Sequence, residues 1–190
     1  MARISPLPSS ELGALNAQLE AMIDASGYAP NSLPTMARVP GLAEAFGAMA
    51  KAVLGNPEVP TALLQMVAHI ASTTAGCRYC SAHTAHNAEK LGVSEEKLAD
   101  LWLWKTSDHF DASEKAALQL AFDAASVPNT VTDEQVDQLR EHFSDDQIAG
   151  IVAAISLFGF LNRWNDTMAT DLEDKPNDFA HEVLSAQGWA

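Results

Sequence analysis

Gly76-Cys77-Arg78-Tyr79-Cys80-Ser81-Ala82-His83 contains the only two cysteines of the chain, two residues apart, with a histidine three positions after the second. Two thiols at this spacing close into a disulfide only where the backbone brings their Cα atoms within about 4.4–6.8 Å, and the first turn of a helix does so. Such a pair can exchange two electrons. His83 supplies a group that takes a thiol's proton or stabilises the thiolate, which is the reactive nucleophile. Ser81 follows Cys80, so the CxxCH pattern of covalent haem attachment is absent. With no second CxxC and no matching ligand set, no metal is predicted; a zinc site and an inert pair stay open as alternatives to redox chemistry.

On both sides of the pair the sequence reads as helices, with almost no strand signal. Upstream, Glu58 to about Thr74 has helical periodicity, introduced by Asn56-Pro57 as cap and first helical residue and stopped by Gly76. Before it, a helix from about Gly41 to Leu54 closes at Gly55, and Asn31 to Pro40 reads as loop. Leu12, Leu15, Leu19, Met22 and Ile23 form an apolar stripe on a helix running from Ser10 to near Gly27. Downstream, Cys77 and Cys80 open a helix that runs to Gly92, Ser94 caps a segment reaching about Thr106, and Ser113 caps Glu114 to Ala125. Thr132 with Gln135, and Ser144 with Gln147, are capping-box patterns that start two more helices. Ile148 to Leu161, about 14 residues broken by Ser156, falls short of the ~20 that span a bilayer and reads as a core helix or a subunit interface. Trp102 and Trp104, two apart, cannot share one helix face, so one belongs to the core and the other to an interface or pocket wall. The tail from Asp171 is polar apart from Val183 and Leu184.

Composition narrows the partners. With 47% hydrophobic residues the chain has ample material for a core. Its 25 acidic against 11 basic residues give a formal net charge of -14, so neither nucleic acid nor an anionic membrane is an expected partner. Met1 to Pro8 lack the basic region and apolar run of a secretory signal. The expected location is therefore cytoplasmic, where a CxxC pair is redox-active or metal-binding more often than a permanent crosslink.

Leu63 to Gly92, in which the CxxC pair opens a helix after a long helix, and Phe158-Gly159-Phe160-Leu161-Asn162-Arg163-Trp164-Asn165-Asp166 resemble the alkylhydroperoxidase-D-like, carboxymuconolactone-decarboxylase-like superfamily. The resemblance covers residues 40–175 of a single all-α domain spanning 1–190, leaving 1–39 as an N-terminal extension and 176–190 as a C-terminal tail. It implies an alkylhydroperoxidase-D-like helical bundle of about eight helices, assembled as a homo-oligomer. For members carrying the pair it also implies peroxidase or disulfide-reductase chemistry at Cys77 and Cys80. Members that decarboxylate a lactone generally lack the pair. In the redox branch a glutamate usually stands twelve residues before the first cysteine and a histidine four residues after the second; here those positions hold Gln65 and Thr84. Glutamine cannot act as a base. On a regular helix, at about 100° per residue, Thr84 shares the face of Cys77, while His83 lies beyond Cys80 and reaches it more easily than Cys77. His69, one turn after Gln65, is either a core histidine or a second imidazole pointing at the pair, and His86 reads as surface. Helix-terminus electrostatics favour Cys77 as the more stable thiolate. The resemblance favours Cys80 as the attacking thiol, with Cys77 resolving.

The expected function is that of a thiol-dependent peroxidase or disulfide oxidoreductase. A thiolate attacks the terminal oxygen of a hydroperoxide to give a sulfenic acid, and the second cysteine condenses with it, forming the Cys77-Cys80 disulfide and water. The candidate catalytic residues are Cys77, Cys80 and His83, supported by Gln65, His69 and Thr84. The resemblance implies an external dithiol reductant, lipoyl-bearing or thioredoxin-like. With no flavin or nicotinamide signature in the chain, no cofactor is expected. The alternatives are a carboxymuconolactone-decarboxylase-like small-molecule enzyme and a non-catalytic, redox-sensing helical oligomer. Asn162, Arg163, Asn165 and Asp166 crowd the end of an apolar helix, either as a polar network near the pocket or, for Arg163, as a partner of the helix dipole.

Overall fold

A computed structural model describes residues 2–189. Among them the helix signals become ten α-helices, eight of them seven residues or longer, and no strand forms. Gly13, at φ 53, separates a short 3-10 turn (Ser9–Glu11) from α1 (Ala14–Ser26), so the helix begins a turn later than the sequence implies. Leu12, Leu15 and Leu19 are buried, but Met22 and Ile23 carry the apolar stripe out into solvent. Asn31 to Pro40 is not all loop: it contains α2 (Ser32–Met36), whose Leu33 and Met36 are buried. Pro34 lies in the first turn of α2, where no intrahelical N–H is required.

After α3 (Leu42–Leu54), α4 (Thr61–Thr74) starts later than expected. Asn56 Oδ1 accepts the Glu58 amide at 3.0 Å, so Asn56-Pro57 forms a local turn and Pro60 takes the cap position. Every residue of α4 from Leu63 to Ser72 is buried, because α5 (Arg78–Lys90), α7 (Ala112–Ala125) and α9 (Asp145–Met168) pack around it. Between α5 and α7, α6 (Glu95–Ala99) keeps its expected Ser94 cap but breaks at Asp100 into a 3-10 turn (Leu101–Leu103), well short of Thr106. The cap of α7 is Asp111 rather than Ser113. Its carboxylate accepts the Glu114 amide at 2.9 Å and the Ser113 hydroxyl at 2.7 Å, and a carboxylate suits the positive end of a helix.

Thr132 caps α8 (Asp133–Leu139), although the Gln135 side chain turns to Asp123 at 2.8 Å instead of closing the box. Ser144 and Gln147 do complete the box at α9. By length and composition α9, at 24 residues, is the one described helix long and apolar enough to cross a membrane. One side of it, including Ile151, Ile155, Leu157 and Phe158, is buried. The opposite edge, with Val152, Ser156 and Gly159, faces a groove of about 840 Å³, so the helix is not covered all round within one chain. The tail is not merely polar: it folds as α10 (Asp174–Val183), and Ala180, Val183 and Leu184 enter the main core.

Candidate active site

Gly76, at φ 79, ends α4 in a left-handed conformation that strains any residue with a Cβ, and so turns the chain directly into α5. Cys77 then occupies the N-cap of α5 with extended backbone, and its Sγ accepts the Cys80 amide at 3.4 Å. A sulfur thus does the work usually left to a hydroxyl or carboxylate oxygen. Both thiols are free and buried. The Cys77 thiol is pushed far above its ordinary range, first by its hydrogen bond with Cys80, then by burial, with the Asp166 charge adding to both. The amide at the helix start opposes this shift without reversing it. Cys77 therefore keeps its proton at neutral pH, and the amide at the helix start does not by itself make it a thiolate.

On the other side of the pair, α9 delivers Asn165, whose Nδ2 donates to Cys80 Sγ at 3.4 Å. His83 is paired with a carboxylate from the C-terminal segment. Its Nε2 is 2.5 Å from Glu173 Oε2, and its ring stacks on Tyr79 with centroids 4.4 Å apart. Glu173 Oε1 also accepts from the Tyr79 hydroxyl at 2.8 Å and the Asn31 amide at 2.5 Å. Burial alone would raise the Glu173 carboxyl, but the hydrogen bond and charge of His83, with those of Asn31 and Tyr79, outweigh it and hold the group below its usual value. Glu173 was invisible in the sequence, since it lies ninety residues from His83 in a segment that reads as polar tail.

His69 is both a core histidine and a wall of the site. Its Nδ1 donates to the Ser81 carbonyl at 3.0 Å, which leaves Nε2 as an acceptor, 3.4 Å from the Thr73 hydroxyl. Thr84 is fully buried, and its hydroxyl donates to the Cys80 carbonyl at 2.8 Å beside His69. Gln65 is buried with Oε1 unpartnered. His86, expected at the surface, is buried instead, packed between Tyr28 and Phe179.

Burial lowers the His69 imidazole from 6.5 to about 4, so it is neutral at pH 7. Below pH 6.5 the unfolded chain binds a proton that the folded site refuses until about pH 4; stability from this group is present above 6.5 and declines across that window. The decline should total about 3 kcal/mol. Urea denaturation at pH 7.5 and pH 4.5 is expected to show it in the parent protein and to show a smaller difference in His69→Gln.

His69, Cys77 and Arg78 line a cavity of about 180 Å³ together with Trp102, Gln187 and Trp189. Trp104 belongs to the core and Trp102 to this wall, their rings in edge contact at 5.7 Å. The tail completes the enclosure: Trp189 Nε1 donates to Ser81 Oγ at 3.2 Å, its ring lies under the Arg78 guanidinium at 4.6 Å, and the Gln187 side chain bonds to the Leu98 and Ala99 carbonyls.

Residues 40–123 match the carboxymuconolactone decarboxylase family model. The debrominase Bmp8 superimposes with a TM-score of 0.87 at 34% identity over 95% of this chain and 97% of that one. The chain belongs to the carboxymuconolactone decarboxylase family. Bmp8 has also been captured as a cysteine-to-alanine variant in complex with 2,3,4-tribromopyrrole. A peroxidase-related protein from Ralstonia eutropha JMP134 with an alkylhydroperoxidase AhpD core shares the fold at 21% identity, with a TM-score of 0.85 and coverage of 94% and 95%. The uncharacterised protein YdfG of Bacillus subtilis (strain 168) is 32% identical over 91 residues; the match takes in 47% of this family member but 60% of the relative.

Proposed function

We propose that this protein is a dithiol oxidoreductase that removes a halogen from a small aromatic ring, with Cys77 and Cys80 as the source of electrons. The observation that carries this reading is the cavity lined by Trp102 and Trp189, whose wall includes Cys77, with the second free thiol, Cys80, buried one helical turn behind it. Indole walls suit a flat ring. The similarity to a debrominase along almost the whole chain supports the same substrate class.

The overall reaction balances as an aryl halide plus two thiols giving the arene, a disulfide and hydrogen halide. The Cys80 thiolate attacks the halogen, forming an S–halogen bond as the carbon–halogen bond breaks. The ring carbon keeps that electron pair and takes the proton held by Cys77. The Cys77 thiolate then attacks Cys80 sulfur, the disulfide forms, and halide leaves. Cys77, the protonated partner at the cavity wall, is suited to the acid step. An external dithiol returns the pair to the thiol state.

A second reading keeps the hydroperoxide substrate. The same attack on the terminal oxygen gives a sulfenic acid and an alkoxide that takes the Cys77 proton, and condensation releases water. It is favoured by the fold shared with the AhpD-core protein. Against it stand Gln65 and Thr84, neither of which supplies a base. Incubation with a brominated pyrrole and dithiothreitol is expected to release one bromide per disulfide formed, faster than cumene hydroperoxide is consumed under the same conditions. Faster peroxide consumption would establish the second reading, and inertness to both would defeat the oxidoreductase proposal.

A further inference from the structure

Asn165 is 2% exposed, donates one N–H to Cys80 Sγ at 3.4 Å, and leaves its buried Oδ1 without a partner. A buried amide satisfied so thinly opposes folding, and an apolar side chain of similar volume would avoid that penalty. Its placement therefore calls for a reason other than stability. The other groups near the pair are engaged elsewhere: Thr84 bonds to backbone carbonyls, His83 to Glu173, and His69 donates to the Ser81 carbonyl. Among the described residues, Asn165 is the side chain that directs a hydrogen-bond donor at the Cys80 sulfur.

We propose that Asn165 is a catalytic residue whose amide N–H holds Cys80 as the thiolate, both when that sulfur attacks substrate and when it leaves as the disulfide is reopened. A hydrogen bond to a charged sulfur is stronger than one to a neutral thiol, so the contact favours ionisation. In the reductive half, a thiolate of the external dithiol attacks Cys77 Sγ, which lines the cavity, and forms a mixed disulfide. The Cys77–Cys80 bond breaks with its electron pair on Cys80, beside Asn165. The second thiol of the reductant then displaces Cys77 and carries away both oxidising equivalents as its own disulfide. The role in turnover rests on the dithiol-reductase reading; the ionisation of Cys80 does not.

The experiment follows alkylation of Cys80 by iodoacetamide in a Cys77→Ser background, where serine keeps the helix cap. Asn165→Leu should slow alkylation at pH 7 about tenfold or more, with the deficit closing well above pH 9 and the melting temperature unchanged or raised. Asn165→Asp keeps the shape but places a negative charge by the sulfur, and should slow it further. Parental rates in both variants would overturn the assignment, as would a lowered melting temperature with a rate deficit that persists at high pH. Slowed alkylation in a protein that consumes neither brominated pyrrole nor hydroperoxide would uphold Asn165 while defeating the reductase reading.

Discussion

Cys80→Ser is expected to reduce turnover to the uncatalysed background, whereas Cys77→Ser should react once and stop. The asymmetry follows from the different surroundings of two sulfurs on one helical turn. Cys77 holds its proton because it is buried and bonded to Cys80, while Cys80 receives a donor from Asn165. Removing the resolving thiol still permits one two-electron oxidation of the attacking thiol. With hydroperoxide this leaves a sulfenic acid on Cys80, one per chain, that a dimedone-type reagent captures and mass spectrometry locates. Serine at position 77 remains a good N-cap, so α5 should still start in place. Should Cys77→Ser be inert and Cys80→Ser retain the single oxidation, the cavity-facing sulfur is the nucleophile and the division of roles is reversed.

Glu173→Ala is expected to lower the melting temperature by about 6–20 °C, measured by circular dichroism at pH 7. The Glu173 carboxylate is the shared acceptor for the Tyr79 hydroxyl, His83 Nε2 and the Asn31 amide, and the Glu173 and His83 side chains are only 9% and 10% exposed. Removing one partner of a buried pair costs about 3–5 kcal/mol, since the other is left unsatisfied. In a chain of this size each kcal/mol moves the midpoint by about 2–4 °C. The carboxyl lies below its usual value in the fold, so its contribution is present above the unfolded value of about 4.5 and is lost as pH falls through the folded one. The gap between the parent and Glu173→Ala should accordingly narrow below pH 4.5. A variant melting within about 2 °C of the parent would show that the tail is held by the packing of Ala180, Val183 and Leu184 alone.

What sequence reading recovered was local. Caps and periodicity located α3, α5 and α9, and the family resemblance followed from one short motif and the segment after Phe158. The same logic misplaced the start of α4, because Asn56-Pro57 is as good a turn as a helix start, and it assigned the cap of α7 to Ser113 when Asp111 two residues earlier is the better acceptor. The roles around the sulfurs were less legible. A helical wheel puts His83 near Cys80, yet Glu173, from a segment ninety residues away, claims its Nε2. Asn165 could be read as part of a polar network near the pocket, but its single bond to sulfur depends on how α9 crosses α5. Trp189 and Gln187 read as an unremarkable chain end and instead wall the cavity. In each case the missing information is a long-range contact, which no spacing along the chain encodes.

The bond from the Cys80 amide to Cys77 Sγ couples electron transfer to the backbone of α5. When the pair oxidises, that sulfur must rotate into a covalent bond and its lone pair is redirected, so a peptide hydrogen in the first turn of the helix loses or changes its acceptor. In a 15N-labelled sample the Cys80 amide resonance should therefore act as a built-in redox reporter, moving between two positions as dithiol and disulfide interconvert. Its hydrogen-deuterium exchange would report the same event without any attached dye.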